Sequence, residues 1–195
     1  HEQRAQFPGD AYLMNMITNH DLNSWEGTEF QRYGRLTSAM AVLSFTLPGM
    51  PLIYTGQEVG MNRALQFFEK DTAPDFDSNP DVTSFYETLT MLKHNRRELR
   101  AGAAAGFEAI DTGNKDVLMF RRTNPDAASS TIVCVNLGKA DATVTLPSDV
   151  VTSRNIMASN ISAANFMTAQ DEASGSKNTD VTLAPGGYIV VPVDK

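Results

Sequence analysis

The sequence predicts an α/β segment followed by an all-β segment, with the change near residue 103. Three observations support this prediction. Before residue 103, segments with helical spacing alternate with short apolar runs, and after it short β-branched runs are separated by turn residues. Within residues 12–55, a strand, a helix and a second strand also follow one another. The expected domains are therefore residues 1–103 and residues 104–195.

The first segment begins with a short apolar run, Tyr12–Thr18, which is a candidate buried strand. A helix is expected to start at Thr28, because Thr28 and Gln31 have the spacing of a capping box. The helix should stop before Pro48, which has no N–H for the next turn. Leu52–Thr55 is the second candidate strand. A strand, a helix and a strand of these lengths predict two parallel strands.

Two parts of the first segment depart from this regular pattern. Gly34 interrupts the helix at a cost of up to about 1 kcal/mol, and close packing against a sheet is one explanation. Residues 56–81 form a long connection rich in aromatic side chains, which is typical of functional or disordered segments. A second helix should follow, capped by Asp81 and ended by Gly102.

The second segment has the pattern of an antiparallel β domain. Short strands with turns between them predict a small sandwich or barrel. Asp111–Asn114 has the composition of a hairpin turn, and residues 158–180 are expected to be a long loop. The predicted strands are Phe107–Ile110, Val117–Arg122, Thr131–Leu137, Ala142–Leu146, Arg154–Met157, Val181–Leu183 and Tyr188–Val193.

Composition excludes several classes of function. The net charge of −7 supplies no basic stripe for nucleic acid, and no apolar run approaches the roughly 20 residues of a membrane helix. We therefore expect neither partner. The single cysteine, Cys134, excludes an internal disulfide and a Cys-rich zinc site, and its place in a strand predicts a buried, inert thiol. The three histidines lack metal-ligand spacing, so we expect no metal and no cofactor in this chain.

The stretch Asn19-His20-Asp21 follows the first predicted strand directly. Ligands of parallel α/β proteins bind at the carboxyl ends of the strands. A carboxylate beside an imidazole at that position can stabilise positive charge and hold hydroxyl groups. Asparagine and aspartate are also common turn residues, so a purely local role is the alternative.

A wider stretch around these residues resembles a known family. Residues 16–21 with residues 23–25 resemble the strand-7 segment of the α-amylase family of glycoside hydrolases, and residues 47–58 resemble its strand-8 segment, in the same order and at the same separation. Gly186-Gly187-Tyr188 is similar to the entry into the last strand of the family's C-terminal domain. The resemblance implies the last strands and helices of an incomplete (β/α)8 barrel followed by a C-terminal β-sandwich.

The resemblance also implies an activity. The family cleaves α-glucosidic bonds of starch-like glucans and malto-oligosaccharides with retention, using two carboxyl groups. Asp21 matches the acidic residue that stabilises the transition state, while His20 and Asn19 are expected to bind sugar hydroxyls. The nucleophile and general acid follow strands 4 and 5 of the family, and no residue here matches them. The chain alone is therefore expected to be inactive; the alternative is a non-catalytic carbohydrate-binding or interaction module.

Five further residues have two interpretations each. Trp25 either stacks on a sugar ring or packs locally. Glu58 faces the substrate or bonds to nearby backbone. Arg63, Phe67 and Phe68 lie in the long connection, where they either shape outer subsites or serve as buried anchors of the loop.

Two parallel strands leave open sheet edges, which predicts a covering partner. The candidates are the missing N-terminal part of the barrel, a second copy of the chain and the β domain of the chain itself. The family also implies a possible calcium ion in the parent protein. It favours an extracytoplasmic location, either periplasmic or secreted.

Overall fold

The computed structural model divides the chain into two units. The first comprises His1–Asn95 with Arg100–Gly102, and the second comprises Arg96–Leu99 with Ala103–Lys195. The structure describes residues 6–8, 11–100, 105–124, 126, 129–150, 158–160, 166–170 and 177–194.

The first unit contains two short parallel strands, as predicted. Strand β1, Met14–Asn15, pairs in parallel with β2, Met50–Pro51. The prediction of a second strand at Leu52–Thr55 was wrong, because the paired strand lies two residues earlier, at Met50–Pro51. The N–H groups of Met50 and Leu52 donate to the carbonyls of residues 13 and 15 at 2.9 and 2.8 Å. The N–H that Pro51 lacks falls between these two bonds, so the ladder tolerates it.

The predicted capping box is present. The Thr28 hydroxyl accepts a bond from the Gln31 N–H at 3.3 Å, and the Gln31 side chain accepts one from the Thr28 N–H at 3.0 Å. The predicted continuous helix is wrong, because α1, Glu29–Tyr33, and α2, Thr37–Thr46, are separated by a 3-10 turn. Gly34 has φ of +53°, and no neighbouring atom lies within 4 Å of a Cβ built there. Its backbone conformation, not close packing, explains the glycine.

Helix α3, Pro80–Asn95, is bounded by residues other than the predicted ones. The Asn79 side chain accepts a bond from the Val82 N–H at 3.4 Å, so Asn79 rather than Asp81 caps the helix. Proline suits the first turn, where its missing N–H has no helical partner. The helix ends well before Gly102, which lies outside the described residues. Arg100 donates to the carbonyl of His94 at 2.9 Å and so satisfies an acceptor of the last turn.

The second unit is an antiparallel β-sandwich. One sheet has the order β3-β4-β5-β10-β7 and the other the order β6-β9-β8. The strands are β3, Gly106–Ile110; β4, Val117–Thr123; β5, Ser129–Asn136; β6, Ala142–Leu146; β7, Ala158–Ser159; β8, Phe166–Gln170; β9, Lys177–Leu183; and β10, Tyr188–Asp194. The expected long loop over residues 158–180 is wrong, because β7, β8 and the start of β9 lie there. The predicted strand Arg154–Met157 lies outside the described residues.

The core of the second unit lies between its two sheets. Alternate residues of β4, β5 and β10 face alternate residues of β6 and β9 in one apolar cluster. Its fully buried members include Ile132, Cys134, Val181 and Ile189. The predicted burial of Cys134 is thus confirmed, and burial raises the pKa of its thiol to about 12.

A buried carboxylate ties the turn Arg97–Leu99 to strand β5. Glu98 is fully buried and accepts bonds from Arg96 at 2.8 Å, Thr131 at 2.6 Å and Ser129 at 3.1 Å. Burial opposes ionisation, but the bonds from Thr131, from backbone and from the Arg96 guanidinium outweigh it and lower the pKa of Glu98. This carboxylate is therefore a structural anion of the second unit.

Candidate functional site

The loop after β1 forms a short helical turn that presents His20 and Asp21 to solvent. Their side chains are 65% and 60% exposed, and His20 Nε2 lies 3.6 Å from Asp21 Oδ2. Asn19 starts the turn, because its side-chain oxygen accepts a bond from the Leu22 N–H at 2.7 Å. Its amide nitrogen contacts the sulfur of Met16 at 3.2 Å. The Asn19 side chain thus has local partners, whereas the predicted roles of all three residues toward a sugar stay predictions.

The loop after β1 is bonded to the loop after β2. Asn23, 1% exposed, accepts a bond from the Leu65 N–H at 2.7 Å and donates to the carbonyl of Arg63 at 3.3 Å. The Ser24 hydroxyl donates to the carbonyl of Leu65 at 2.8 Å. The Thr28 hydroxyl donates to the Asn62 side chain at 2.6 Å. The two loops therefore form one surface, which the sequence analysis missed because these partners are about 40 residues apart.

Arg63 fixes the loop after β2 from within. Its Nη1 lies 2.8 and 2.9 Å from the two carboxylate oxygens of Asp71, and its Nη2 donates to the carbonyl of Thr72 at 2.7 Å. Asp71 also accepts bonds from the N–H groups of Gln66 and Thr72. These backbone bonds, with Arg63, lower the pKa of Asp71. The Arg63 guanidinium therefore has a structural role in the loop, and its predicted contact with substrate stays a prediction.

Four rings form an aromatic cluster across the joined loops: His20, Trp25, Phe67 and Phe68. The Phe67 ring lies 5.8 Å from His20, 5.4 Å from Trp25 and 4.8 Å from Phe68 between centroids. Trp25 is 64% exposed, Phe67 39% and Phe68 82%. The alternative that Phe67 and Phe68 are buried anchors is wrong. Trp25 both packs locally and keeps most of its surface open to a ligand.

Glu58 lies in the turn after β2 and is half-buried. Its backbone carbonyl accepts a bond from the Thr83 hydroxyl at 3.3 Å. The carboxylate atom Oε2 is buried, and no described residue donates a hydrogen bond to it. These contacts therefore test neither prediction for the Glu58 carboxylate, which were contact with substrate and a hydrogen bond to nearby backbone.

A small cavity of about 50 Å³ lies elsewhere in the first unit, between α1, α2 and α3. Glu29, Gln57 and Tyr86 are among its lining residues, and Gln57 donates to the Tyr86 hydroxyl at 2.9 Å. Glu29 is 2% exposed, and its burial raises the pKa of its carboxyl group. The cavity is large enough for ordered water, and no ring of the aromatic cluster lines it.

The described residues contain no group of three or more His, Cys, Asp and Glu side chains placed to hold a metal ion. Across the same part of the chain, none of the helices has the length and apolar character needed to cross a membrane.

Comparison with known proteins connects this architecture to a family. No family model matches the chain. The α-amylase MalA of Haloarcula japonica is 33% identical to it over 152 residues, which make up 75% of this chain and 21% of MalA. This similarity relates the chain to the α-amylase family. The chain spans about a fifth of the length of that curated relative, so it matches only part of it.

Solved structures show the same fold for most of this chain. A debranching enzyme of Nostoc punctiforme matches with a TM-score of 0.66 and 17% identity, covering 97% of this chain and 36% of that one. An α-amylase from H. orenii gives 0.61 and 18%, covering 93% and 40%. A cyclomaltodextrinase gives 0.67 and 19%, covering 97% and 31%. The predicted fold, the end of a (β/α)8 barrel followed by a β-sandwich, is confirmed.

Proposed function

We propose that this chain forms the end of a catalytic barrel that cleaves α-glucosidic bonds of malto-oligosaccharides and starch-like glucans. Asp21 stabilises the positive charge that develops on the sugar ring, and His20 holds the hydroxyl groups of the same sugar. The observation that carries the proposal is the exposed His20–Asp21 pair, 3.6 Å apart, in the loop that follows the parallel strand β1. That edge of a parallel sheet is where barrel enzymes bind their substrates.

The chemistry explains why a carboxylate suits this position. Glycoside hydrolysis passes through an oxocarbenium-like transition state, whose positive charge is greater than that of the bound substrate. A fixed anion beside that charge therefore stabilises the transition state more than the ground state. The neighbouring imidazole of His20 offers a ring nitrogen to sugar hydroxyls.

The proposal assigns the nucleophile and general acid to barrel strands outside these 195 residues. Its structural support is the exposed apolar surface beside the two-stranded sheet. Tyr12, Met14, Met50 and Ile53 are 52%, 49%, 47% and 37% exposed. Further barrel strands would cover such side chains and pair with the open edges of β1 and β2.

The test compares sugar release from maltohexaose by two proteins. One is the isolated 195-residue chain, and the other is the chain produced together with its upstream reading frame. We expect release only from the longer protein, and a loss of about 10²- to 10³-fold in kcat with Asp21→Asn. Asp81→Asn, an exposed aspartate in the first turn of α3, is the matched control and should keep full activity.

Two outcomes would overturn the proposal in different ways. Asp21-dependent release by the isolated chain would show that this chain or its oligomer supplies both missing carboxyl groups. Binding of maltohexaose without any hydrolysis by the longer protein would instead favour a non-catalytic carbohydrate-binding module.

A further inference from the structure

We propose that the cavity between α1, α2 and α3 binds a small protonated amine, of the size of methylammonium, through the carboxylate of Glu29. Asn19, His20 and Asp21 are not among the residues that line this cavity. The inference therefore goes beyond the proposed sugar chemistry, and each of the two can fail without the other.

The first argument is that Glu29 buries a carboxyl group with little compensation. Glu29 is 2% exposed and lines the cavity. Its carboxyl group accepts a hydrogen bond from its own backbone N–H, and Arg32 on the same helix adds a charge attraction. Burial outweighs both and raises the pKa of the carboxyl group. A cation that reaches this carboxylate through the cavity would supply the missing compensation.

A second carboxylate adds negative charge to the same region. Glu58 Oε2 is buried, and no described residue donates a hydrogen bond to it. Tyr86 lines the cavity, and its hydroxyl pKa is raised mainly by burial and further by the charges of Glu29 and Glu58. Both carboxylates therefore lie near the Tyr86 hydroxyl. The local charge favours a cation over a neutral ligand.

The size and lining of the cavity fit an amine. Its volume is about 50 Å³, whereas one water molecule needs about 10–15 Å³ of such volume, so a small organic cation fits. The side chains of Phe30, Phe85 and Tyr86 line it, and aromatic rings attract cations. A divalent metal ion would need several further oxygen ligands. A carboxylate with aromatic rings is instead the combination that recognises an ammonium group.

The cavity is accessible, and its polar groups are held in place. Ser38 lines it and is exposed, so solvent reaches the cavity on that side. Gln57 donates to the Tyr86 hydroxyl at 2.9 Å and accepts a bond from the Tyr54 N–H at 3.0 Å. The Tyr86 oxygen keeps a second lone pair for a donor such as an amine. Little has to be ordered when the ligand binds, which lowers the entropic cost of binding.

Protons compete with the amine for Glu29. A protonated carboxyl group has no charge to pair with the amine, so binding is weak below the folded pKa of Glu29. Because burial raises that pKa, binding strengthens as pH rises through it. The other charged or titratable groups that act on this site are Arg32, Glu58 and Tyr86. Arg32 stays charged and Tyr86 stays neutral throughout this pH range.

The experiment measures urea unfolding of the 195-residue chain at pH 8, followed by Trp25 fluorescence. Methylammonium chloride replaces choline chloride at a constant total salt concentration, because choline is too bulky for the cavity. We expect the urea midpoint to rise and then saturate as methylammonium is added. At ten times its dissociation constant, the folding equilibrium constant should be about 10-fold higher. The rise should shrink when the titration is repeated at pH 5.

The decisive variant is Glu29→Gln, which removes the charge and keeps the size of the side chain. Its midpoint should be the same in both salts, and comparing two salts within one variant cancels any change in its own stability. Glu87→Gln, at an exposed glutamate of α3, is the matched control and should respond like the wild type. Tyr86→Phe keeps the ring and should weaken methylammonium binding about 10-fold, because the hydroxyl acceptor is lost.

Three results would contradict the amine site. They are equal midpoints in both salts for the wild type, an equal rise in Glu29→Gln, and a rise that grows linearly with methylammonium without saturating. The same saturable, Glu29-dependent rise with potassium chloride would overturn the assignment to an amine and assign the cavity to inorganic monovalent cations.

Discussion

The second unit buries its apolar side chains between two sheets of its own, whereas the first exposes apolar side chains beside its two-stranded sheet. Ile132, Val181 and Ile189 are fully buried in the sandwich, but Met14 and Met50 are about half exposed. The two sheets of the second unit therefore cover each other's apolar faces. The first unit is expected to depend on a further surface for part of its stability.

Cutting the chain between the units should give the largest effect. We expect residues 96–195, which include the Glu98 turn, to unfold cooperatively in urea. Residues 1–95 should unfold at a lower urea concentration, because their apolar surface has no cover. Circular dichroism during urea titration measures both midpoints. Equal midpoints for monomeric 1–95 and for 96–195 would remove the difference between the units.

Removing the buried carboxylate should destabilise the second unit next most. Glu98→Ala leaves the Arg96 guanidinium, whose side chain is 13% exposed, without its anion. We expect a loss of about 3–5 kcal/mol in the free energy of unfolding of residues 96–195. Glu108→Ala, an exposed glutamate of β3, is the control and should change it by less than about 0.5 kcal/mol. Equal losses would mean that the buried bonds of Glu98 contribute nothing.

Truncating one apolar side chain in each unit compares the two cores directly. Ile189→Ala should cost about 2–5 kcal/mol, because it leaves a cavity between the sheets. Met14→Ala should cost less than about 0.5 kcal/mol in the same chain, since half of that side chain already meets water. Urea titration of both variants gives the two values. A large loss for Met14→Ala would show that its face is already covered, for instance by a second copy.

The two buried glutamates should respond to pH in opposite directions. The pKa of Glu98 is lowered, so its stabilising contribution is present above the ordinary glutamate value of about 4.3 and is lost as pH falls through its folded pKa. The pKa of Glu29 is raised by burial, so folding is favoured below that ordinary value and the advantage is lost as pH rises through its folded pKa.

Variants with glutamine separate these two effects, which are the smallest we expect. Between pH 7 and pH 3, the wild type should lose stability relative to Glu98→Gln and gain it relative to Glu29→Gln. Urea midpoints followed by Trp25 fluorescence report the first unit, and circular dichroism of residues 96–195 reports the second. Parallel pH curves for the wild type and either variant would contradict the assigned direction.

Features that depend on neighbouring residues are predictable from this sequence, whereas features that depend on distant residues are not. The capping box of Thr28 and Gln31 and the turn at Asp111–Asn114 depend on neighbouring residues alone, and both are present. Pro51 fits into β2 because the N–H groups on either side of it make the bonds to β1. That arrangement depends on the distant partner strand and not on the neighbours of Pro51. Strands β7 and β8, within residues 158–180, pair with β10 and β9, which lie farther along the chain.

The candidate site divides in the same way. Placing Asn19, His20 and Asp21 after a strand needed only the order of residues and a family resemblance. The contacts of Asn23 and Ser24 with Leu65 join loops some 40 residues apart, so a local sequence pattern does not predict them. Phe67 and Phe68 are exposed on the loop that those contacts join to the loop after β1. Composition favours burial of phenylalanine, and only the tertiary arrangement explains the exception.

The reactivity of the buried Cys134 thiol can report how often the sandwich opens. It lies in the middle of β5, bonded between β4 and β10, and is the only thiol in the sequence. A disulfide reagent can reach it only when the sandwich opens, so at low reagent concentration the labelling rate gives the opening equilibrium without any denaturant. Each labelled molecule carries one adduct, at Cys134. Mass spectrometry can therefore measure the labelled fraction over time, even in a cell extract.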